Sequence, residues 1–211
     1  MGKAIWRKRL SRKLELTPRK VPRQSRAKAT VDAILEATRR LLLTKGYPLV
    51  TTNHVADLAG TSIGTLYQYF PSIDSICTQL YQGLKEDVST ALGVTVANGA
   101  KEPIENTLKT LVESFVEAYS REAKLNQLLC ELAPDIGAMR KVKEIDAQSI
   151  AMLVDYLGSQ SIEGSDTLGF VLFCTLDSVC HDALSRDLEH LQAPVFKESL
   201  ERMVLALFSS R

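Results

Sequence analysis

The stretch TTNHVADLAGTSIGTLYQYFPSIDSI, residues Thr51 to Ile76, constrains this chain more tightly than any other. Two apolar clusters, Val55-Leu58-Ala59 and Leu66-Tyr67-Phe70, stand either side of Gly60, with only Thr61 and Ser62 beside it. Both clusters have helical spacing, so one helix stops and another starts within a few residues. Thr51 or Thr52 caps the first helix, expected over about Asn53 to Ala59, and Gly60 supplies the stop. Ser62 caps the second helix, which runs to about Phe70, and Pro71-Ser72 opens a further one.

A longer helix precedes this pair. Val31, Ile34, Leu35, Leu41 and Leu42 recur at the amphipathic interval from Arg26 onward, and the TKGYP segment ends the run at Gly46 and Pro48. Two short helices joined by a tight turn behind a supporting helix make the helix-turn-helix geometry. On the later short helix Leu66 and Phe70 face inward, while Gly64, Thr65, Tyr67 and Gln68 point outward. A helix meant only for water carries Glu and Lys there; this one carries none.

The outward residues suit a reader of the DNA major groove. Gly64 lets the helix start approach a phosphate, and Thr65 and Gln68 match base edges. Tyr67 and Tyr69 offer hydroxyls to phosphates. Ile63 has two readings: partial core packing, or contact with a thymine methyl.

Charge is distributed to match. The net charge of +1 conceals a basic start: residues 1–30 hold eleven Lys or Arg against the single acid Glu15. The remaining residues hold fifteen bases against twenty-four acids. A basic arm on an acidic body points to a polyanionic partner near the amino terminus. The first twenty residues have too little apolar content to fold alone, Pro18 and Pro22 interrupt any helix beyond Leu16, and the arm, residues 1–25, is expected to be disordered in isolation. Trp6, Leu10 and Leu14 form a short stripe, so the arm has three readings: contact with the DNA backbone, a solvated tail, or a membrane or partner surface.

Other features narrow the class. No run of 18 apolar residues and no cleavable leader is evident in the 211 residues, so a cytoplasmic protein without stable membrane association is expected. Cys77, Cys130, Cys174 and Cys180 lack metal spacing and are expected as buried small hydrophobes. GTSIGT lacks the lysine and the strand of a phosphate loop, and no nucleophile elbow, His-Glu-x-x-His or dinucleotide fingerprint occurs. No enzyme, catalytic residue or cofactor is therefore expected.

At this point the sequence resembles the tetracycline-repressor (TetR/AcrR) family. The resemblance rests on PRQSRAKA and ATVDAILEATRRLLLTKGYPLVTTNHVADLAGTSIGTLYQYFPSIDSI, with AG-x-S-x-GTLYxYF at its centre, about a quarter of the chain. It implies Ser62, Gly64, Thr65, Tyr67, Gln68 and Tyr69 as DNA-contact positions, with Thr52 capping its helix at the phosphate backbone. Two positions depart from the pattern. Thr61 stands where valine is usual, and Ile73 where a lysine commonly clamps a phosphate. The basic arm is expected to compensate, through Arg23, Arg26 and Lys28.

The division expected is arm 1–25, DNA-binding head 26–75 and helical ligand-binding and dimerisation domain 76–211. The fold expected is all-α, with about nine helices. The fourth should span about Ile73 to Leu92, followed by a GVTVANGAKEP linker. Periodicity then marks about Pro103 to Tyr119, Ala123 to Leu132, Ile136 to Leu157, Asp166 to Leu188 and Pro194 to Phe208. The resemblance implies that Leu168, Leu172, Leu176, Val179, Leu200, Val204 and Leu207 pair with a second subunit as a four-helix interface. It implies too a mostly apolar effector pocket, releasing the protein from a palindromic double-stranded operator. Asn126, Gln127, Gln148, Tyr156, Asp177 and His181 are candidate polar contacts for that small molecule. Cys174, Asp177 and His181 share one helix sector, open to three readings: packing, ligand contact or a metal, of which packing is favoured because too few ligands converge.

Overall fold

Ten α-helices carry the chain from Ser25 to Ala206, and among the described residues there is no strand. The computed structural model describes residues 25–140 and 142–208. The amino-terminal arm, Arg23 included, lies outside them. The all-α expectation holds. The helices are α1 (Ser25–Lys45), α2 (Thr52–Leu58), α3 (Ile63–Tyr69), α4 (Ile73–Gly99), α5 (Ile104–Ser120), α6 (Ala123–Leu132), α7 (Lys143–Ser159), α8 (Ser165–Arg186), α9 (Leu188–Gln192) and α10 (Pro194–Ala206). Short 3-10 turns occupy Tyr47–Leu49 and Ala138–Arg140. Two compact units result: one runs to Gln82 and takes back a segment beginning at Leu132, the other holds Gly83–Glu131 and the chain from Val142 onward.

In the first unit, α1 packs on α2 and α2 on α3, and Ile34, Ala37, Leu41, Leu42, Val55, Ala56, Leu66 and the C-cap Phe70 are all buried. Helices of seven residues are marginal on their own, so this shared burial and their caps hold them. Thr51, rather than Thr52, caps α2, its hydroxyl accepting from the His54 amide at 3.3 Å. At the far end the Gly60 amide donates to the Asp57 carbonyl and the Thr61 amide to that of Ala56. That pair of bonds needs Gly60 left-handed, and its φ is 64°. Ser62 then caps α3 by accepting from the Thr65 amide at 3.0 Å. A reciprocal pair, Ser72 with Ser75, caps α4 at 3.1 and 3.2 Å.

In the second unit α7 and α8 form the most extensive helix pairing. Gly169 permits it: a Cβ there would sit 2.7 Å from Val154 Cγ2 and 2.9 Å from the Val154 amide nitrogen. Helices α5, α8, α9 and α10 pack around a core containing Leu111, Phe115, Leu176 and Leu200. The carboxyl-terminal part of α4 lies alongside α7, and their meeting points climb together. Lys85 meets Asp146, Ser89 accepts from Ser149 at 2.9 Å, and Gly93 faces Met152, so the two helices run parallel.

Three element expectations need correction. Helix α4 runs to Gly99, not to Leu92, because the glycines of the expected linker are packing positions. A Cβ on Gly99 would lie 2.3 Å from Thr107 Oγ1. The helix expected from Ile136 starts only at Lys143, since Gly137 adopts a φ of 70° and Ala138–Arg140 forms a 3-10 turn. The short α9 is an addition to the expected elements; Asp187 caps it, accepting from the Glu189 amide at 2.9 Å. Helix α8 is long and apolar enough to cross a membrane by length and composition alone. It nevertheless carries Asp177 mid-helix, paired inside the second unit.

Candidate functional site

The local chemistry of α3 fixes which side chains it displays. Leu66, Tyr69 and Phe70 fall at i, i+3 and i+4, so all three are buried, and α3 turns its other side to solvent. Ile63, Gly64, Tyr67 and Gln68 are exposed there, with Thr65 half-buried. Tyr69 is only 7% exposed, which corrects its assignment to a phosphate. The physical reason is that position 69 continues the inner stripe, which outweighs the polarity of its hydroxyl.

Two hydroxyl pairs stiffen the display. The Ser62 and Thr65 hydroxyls lie 2.8 Å apart, and Thr52 Oγ1 lies 3.1 Å from the Tyr67 hydroxyl. The second contact ties the first residue of α2 to the exposed face of α3. Thr52 and Tyr67 thus form one polar edge, holding a phenol hydroxyl in place where it can also donate outward. Ile63 is 38% exposed, which favours the surface reading of its two. Ile73 is buried in the head core at 6% exposure, so no side chain there reaches toward a phosphate. Arg26 and Lys28 are exposed in the first turn of α1.

Other candidate residues belong to the second unit. Asn126 is buried, and its amide donates to the Arg121 and Tyr119 carbonyls, so it staples the turn before α6. Gln127 is half-buried and Gln148 exposed. Tyr156 is buried. His181 is half-buried, and burial pushes its imidazole below the ordinary value, the neutral form being favoured.

Asp177 proves part of a larger arrangement that sequence reasoning missed. Lys85 of α4 is 2% exposed, and its ammonium lies 2.5 Å from Asp177 Oδ1 and 3.1 Å from Asp146 Oδ1. The Tyr119 hydroxyl donates to Asp177 at 2.7 Å. Lys85 Nζ also lies 5.7 Å from the centre of the Phe173 ring, which meets Phe115 edge-on at 5.9 Å. Burial raises the Asp146 carboxyl above its ordinary value, against the lowering pull of Lys85. Burial likewise pushes the Cys130 thiol, beside this cluster, up to about 12. One signal was available: Asp177 is the only charge between Asp166 and Asp182 in a strongly apolar helix, and such an acid demands a partner.

The residues expected at a subunit interface divide. Leu172, Leu176, Leu200 and Val204 are buried within the single chain, at 5% exposure or less, and cannot reach a second copy. Leu168, Val179 and Leu207 are half-buried. The correction is one of helical phase. Phe170 and Val171 of α8 and Val195 and Met203 of α10 are the large apolar residues these helices expose.

Comparison with known proteins follows this geometry. The model of the bacterial regulatory proteins of the tetR family matches residues 34–80, which contain most of α1, all of α2 and α3 and the start of α4. No curated protein matches the sequence significantly. Among solved structures, a tetR-family transcriptional regulator from Mesorhizobium loti is 16% identical, covering 87% of this chain and 98% of that one, with a TM-score of 0.66. The fatty acid degradation regulator FadR of Bacillus halodurans is 18% identical, covering 86% and 97%, at 0.63. A tetR-family regulator from Streptomyces coelicolor is 20% identical, covering 85% and 95%, also at 0.63. Likeness at such identities establishes the fold, and the match at residues 34–80 falls on the helix-turn-helix segment. Residues 34–80 of this chain thus match the tetR family of bacterial regulatory proteins, and the described chain shares the fold of solved structures of tetR-family transcriptional regulators.

Proposed function

We propose that the protein is a ligand-responsive transcriptional repressor, acting in the cytoplasm as a homodimer on a palindromic operator. The observation that carries this reading is the exposed, uncharged face Ile63, Gly64, Tyr67 and Gln68, with Thr65 at its edge, held in register by the Ser62 cap and the Thr52–Tyr67 contact. Such a face reads base edges, while Thr52, Arg26 and Lys28 bind the phosphate backbone. Two-fold pairing through Phe170, Val171, Val195 and Met203 would present two such faces to two half-sites.

An effector in the second unit favours a dimer arrangement that the operator does not, so each weakens the other's binding. Buried Lys85 and half-buried Asp146 and Asp177 make a purely hydrophobic effector a poor fit, and an amphipathic one a better fit. The deciding experiment is fluorescence anisotropy of the chain with duplexes from the region upstream of its own gene, for the wild type, Y67A and Q68A. Operator affinity should fall in each variant, with Q68A losing the roughly 1–3 kcal/mol, about fivefold or more, that a base contact carries. Unchanged selectivity in both would sink the reading.

A further inference from the structure

We propose that Met139 is a modification site, a thioether that a peroxide oxidises to the sulfoxide, loosening the strip of residues 132–140 from the rest of the first unit. The inference goes beyond the regulator reading and stands without it.

The strip is fastened in two ways. Leu132, Ala133, Ile136 and Ala138 are 2% exposed or less, so its apolar residues pack inward. Met139, next along the chain, breaks that pattern at 43% exposure. Its sulfur nevertheless accepts from the Tyr81 hydroxyl at 3.4 Å, and Tyr81 of α4 is fully buried. Both residues belong to the first unit. One side chain therefore stands open to solvent at the same time as it holds a buried phenol. A thioether is a weak acceptor, so the bond survives only while packing keeps the two groups together.

The cysteines are poor competitors for an oxidant. Thiol oxidation proceeds through the thiolate. Burial pushes the Cys130 and Cys180 thiols up to about 12 and raises that of Cys174, while Cys77 is fully buried. A thioether has no proton to lose, so access rather than ionisation governs it. Met152 is half-buried beside Gly93, and Met203, 38% exposed, lies on α10 in the other unit. Met139 is thus the exposed sulfur whose own hydrogen bond fastens the strip.

The chemistry balances with the peroxide as the sole co-reactant. The sulfur lone pair forms a bond to one peroxide oxygen, the O–O bond breaks, and the departing hydroxide takes the proton of the transferred hydroxyl and leaves as water. Sulfur loses two electrons and the peroxide gains them. The product oxygen is a strong acceptor, whereas the oxidised sulfur is a worse one. A gap of 3.4 Å between sulfur and phenol oxygen has no room for a third heavy atom. An oxygen pointing inward pushes the Ala138–Arg140 turn away from α4, and one pointing outward leaves Tyr81 facing a sulfur that no longer accepts well. Both outcomes weaken the fastening.

Peptide mass mapping and amide hydrogen exchange of the full chain, before and after hydrogen peroxide, test this. The peptide holding Met139 should gain one oxygen before any cysteine peptide does. Amides of residues 76–82 and 132–140 should then exchange roughly threefold faster, the loss of one weak hydrogen bond, and methionine sulfoxide reductase should restore both mass and exchange. Y81F should still gain the oxygen while its exchange stays unchanged by peroxide, and M139L, altered at an exposed position, should not respond in these segments at all. No oxygen on Met139 at a dose that oxidises free methionine, a cysteine oxidised first, oxygen gained with exchange unchanged, or the same acceleration in M139L would overturn the inference.

Discussion

Single side chains divide sharply into those whose partners are near in sequence and those whose partners are far. Ser62 belongs to the first kind. Its bond to the Thr65 amide spans three residues, so cap and stop around Gly60 are readable from the sequence alone. Ser62→Ala should destabilise the first unit by about 1 kcal/mol, seen as a lower urea midpoint. Lys85 belongs to the second kind, with partners 61 and 92 residues away, and nothing local marks it as buried. Removing it strands two acids, so K85M should cost about 3–5 kcal/mol in the same measurement. D146N leaves Asp177 paired with Lys85 and should cost far less. The pH dependence has a definite sign. The folded carboxyl of Asp146 lies above its unfolded value of 3.8, so its proton is held longer in the folded state. The stability this contributes is present in acid and is lost as pH rises from that value through the raised one. The difference in urea midpoint between wild type and D146N should therefore tilt against the wild type as pH rises across that window. A flat difference would show that Asp146 is not the group responsible.

At the scale of helices, apolar periodicity locates nearly every element but misplaces several ends. Ends set by caps, such as those of α2 and α3, come out within a residue or so, because capping is local chemistry. Ends set by packing do not. Gly93 and Gly99 read as breakers in the sequence, whereas in the fold they let Met152 and Thr107 come close to α4. The same distinction makes Gly169 a position to test. A methyl group there meets the backbone of α7 and not merely a flexible side chain. Gly169→Ala should destabilise the second unit by about 1–3 kcal/mol despite the better helix propensity of alanine, and thermal melting of the variant checks it. Helical phase on α8 and α10 is the other point of failure. Both helices alternate buried and exposed apolar stripes, and periodicity cannot say which stripe meets its own core; the packed fold assigns Leu172 and Leu176 inward and Phe170 and Val171 outward. Phe170→Glu together with Met203→Glu should convert the proposed dimer to monomers by light scattering while leaving the helical circular dichroism intact. The candidate groove-reading face was legible almost entire, Tyr69 excepted, and the buried ionic cluster almost not at all.

For the molecule as a whole, the contrast between a basic start and an acidic remainder carries its own prediction. Removing residues 1–22 deletes eight Lys or Arg and spares Arg23, Arg26 and Lys28. If some of those eight bind phosphates, the logarithmic dependence of operator affinity on salt should flatten by about 0.9 for each phosphate that the arm had neutralised. An unchanged slope would show that the arm stays in solvent. Helix α4 raises a different matter. It begins at Ile73 in the first unit and ends at Gly99 in the second, and the first unit also recovers the segment starting at Leu132, where Met139 accepts from the Tyr81 hydroxyl at 3.4 Å. The head is thus not a contiguous cassette. A chimera that grafts this chain's first 75 residues onto a foreign body severs a helix two residues after its first position and forfeits the returning strip that Tyr81 grips. Engineers wishing to transplant its proposed DNA-reading face should splice beyond Gln82 and bring residues 132–140 along.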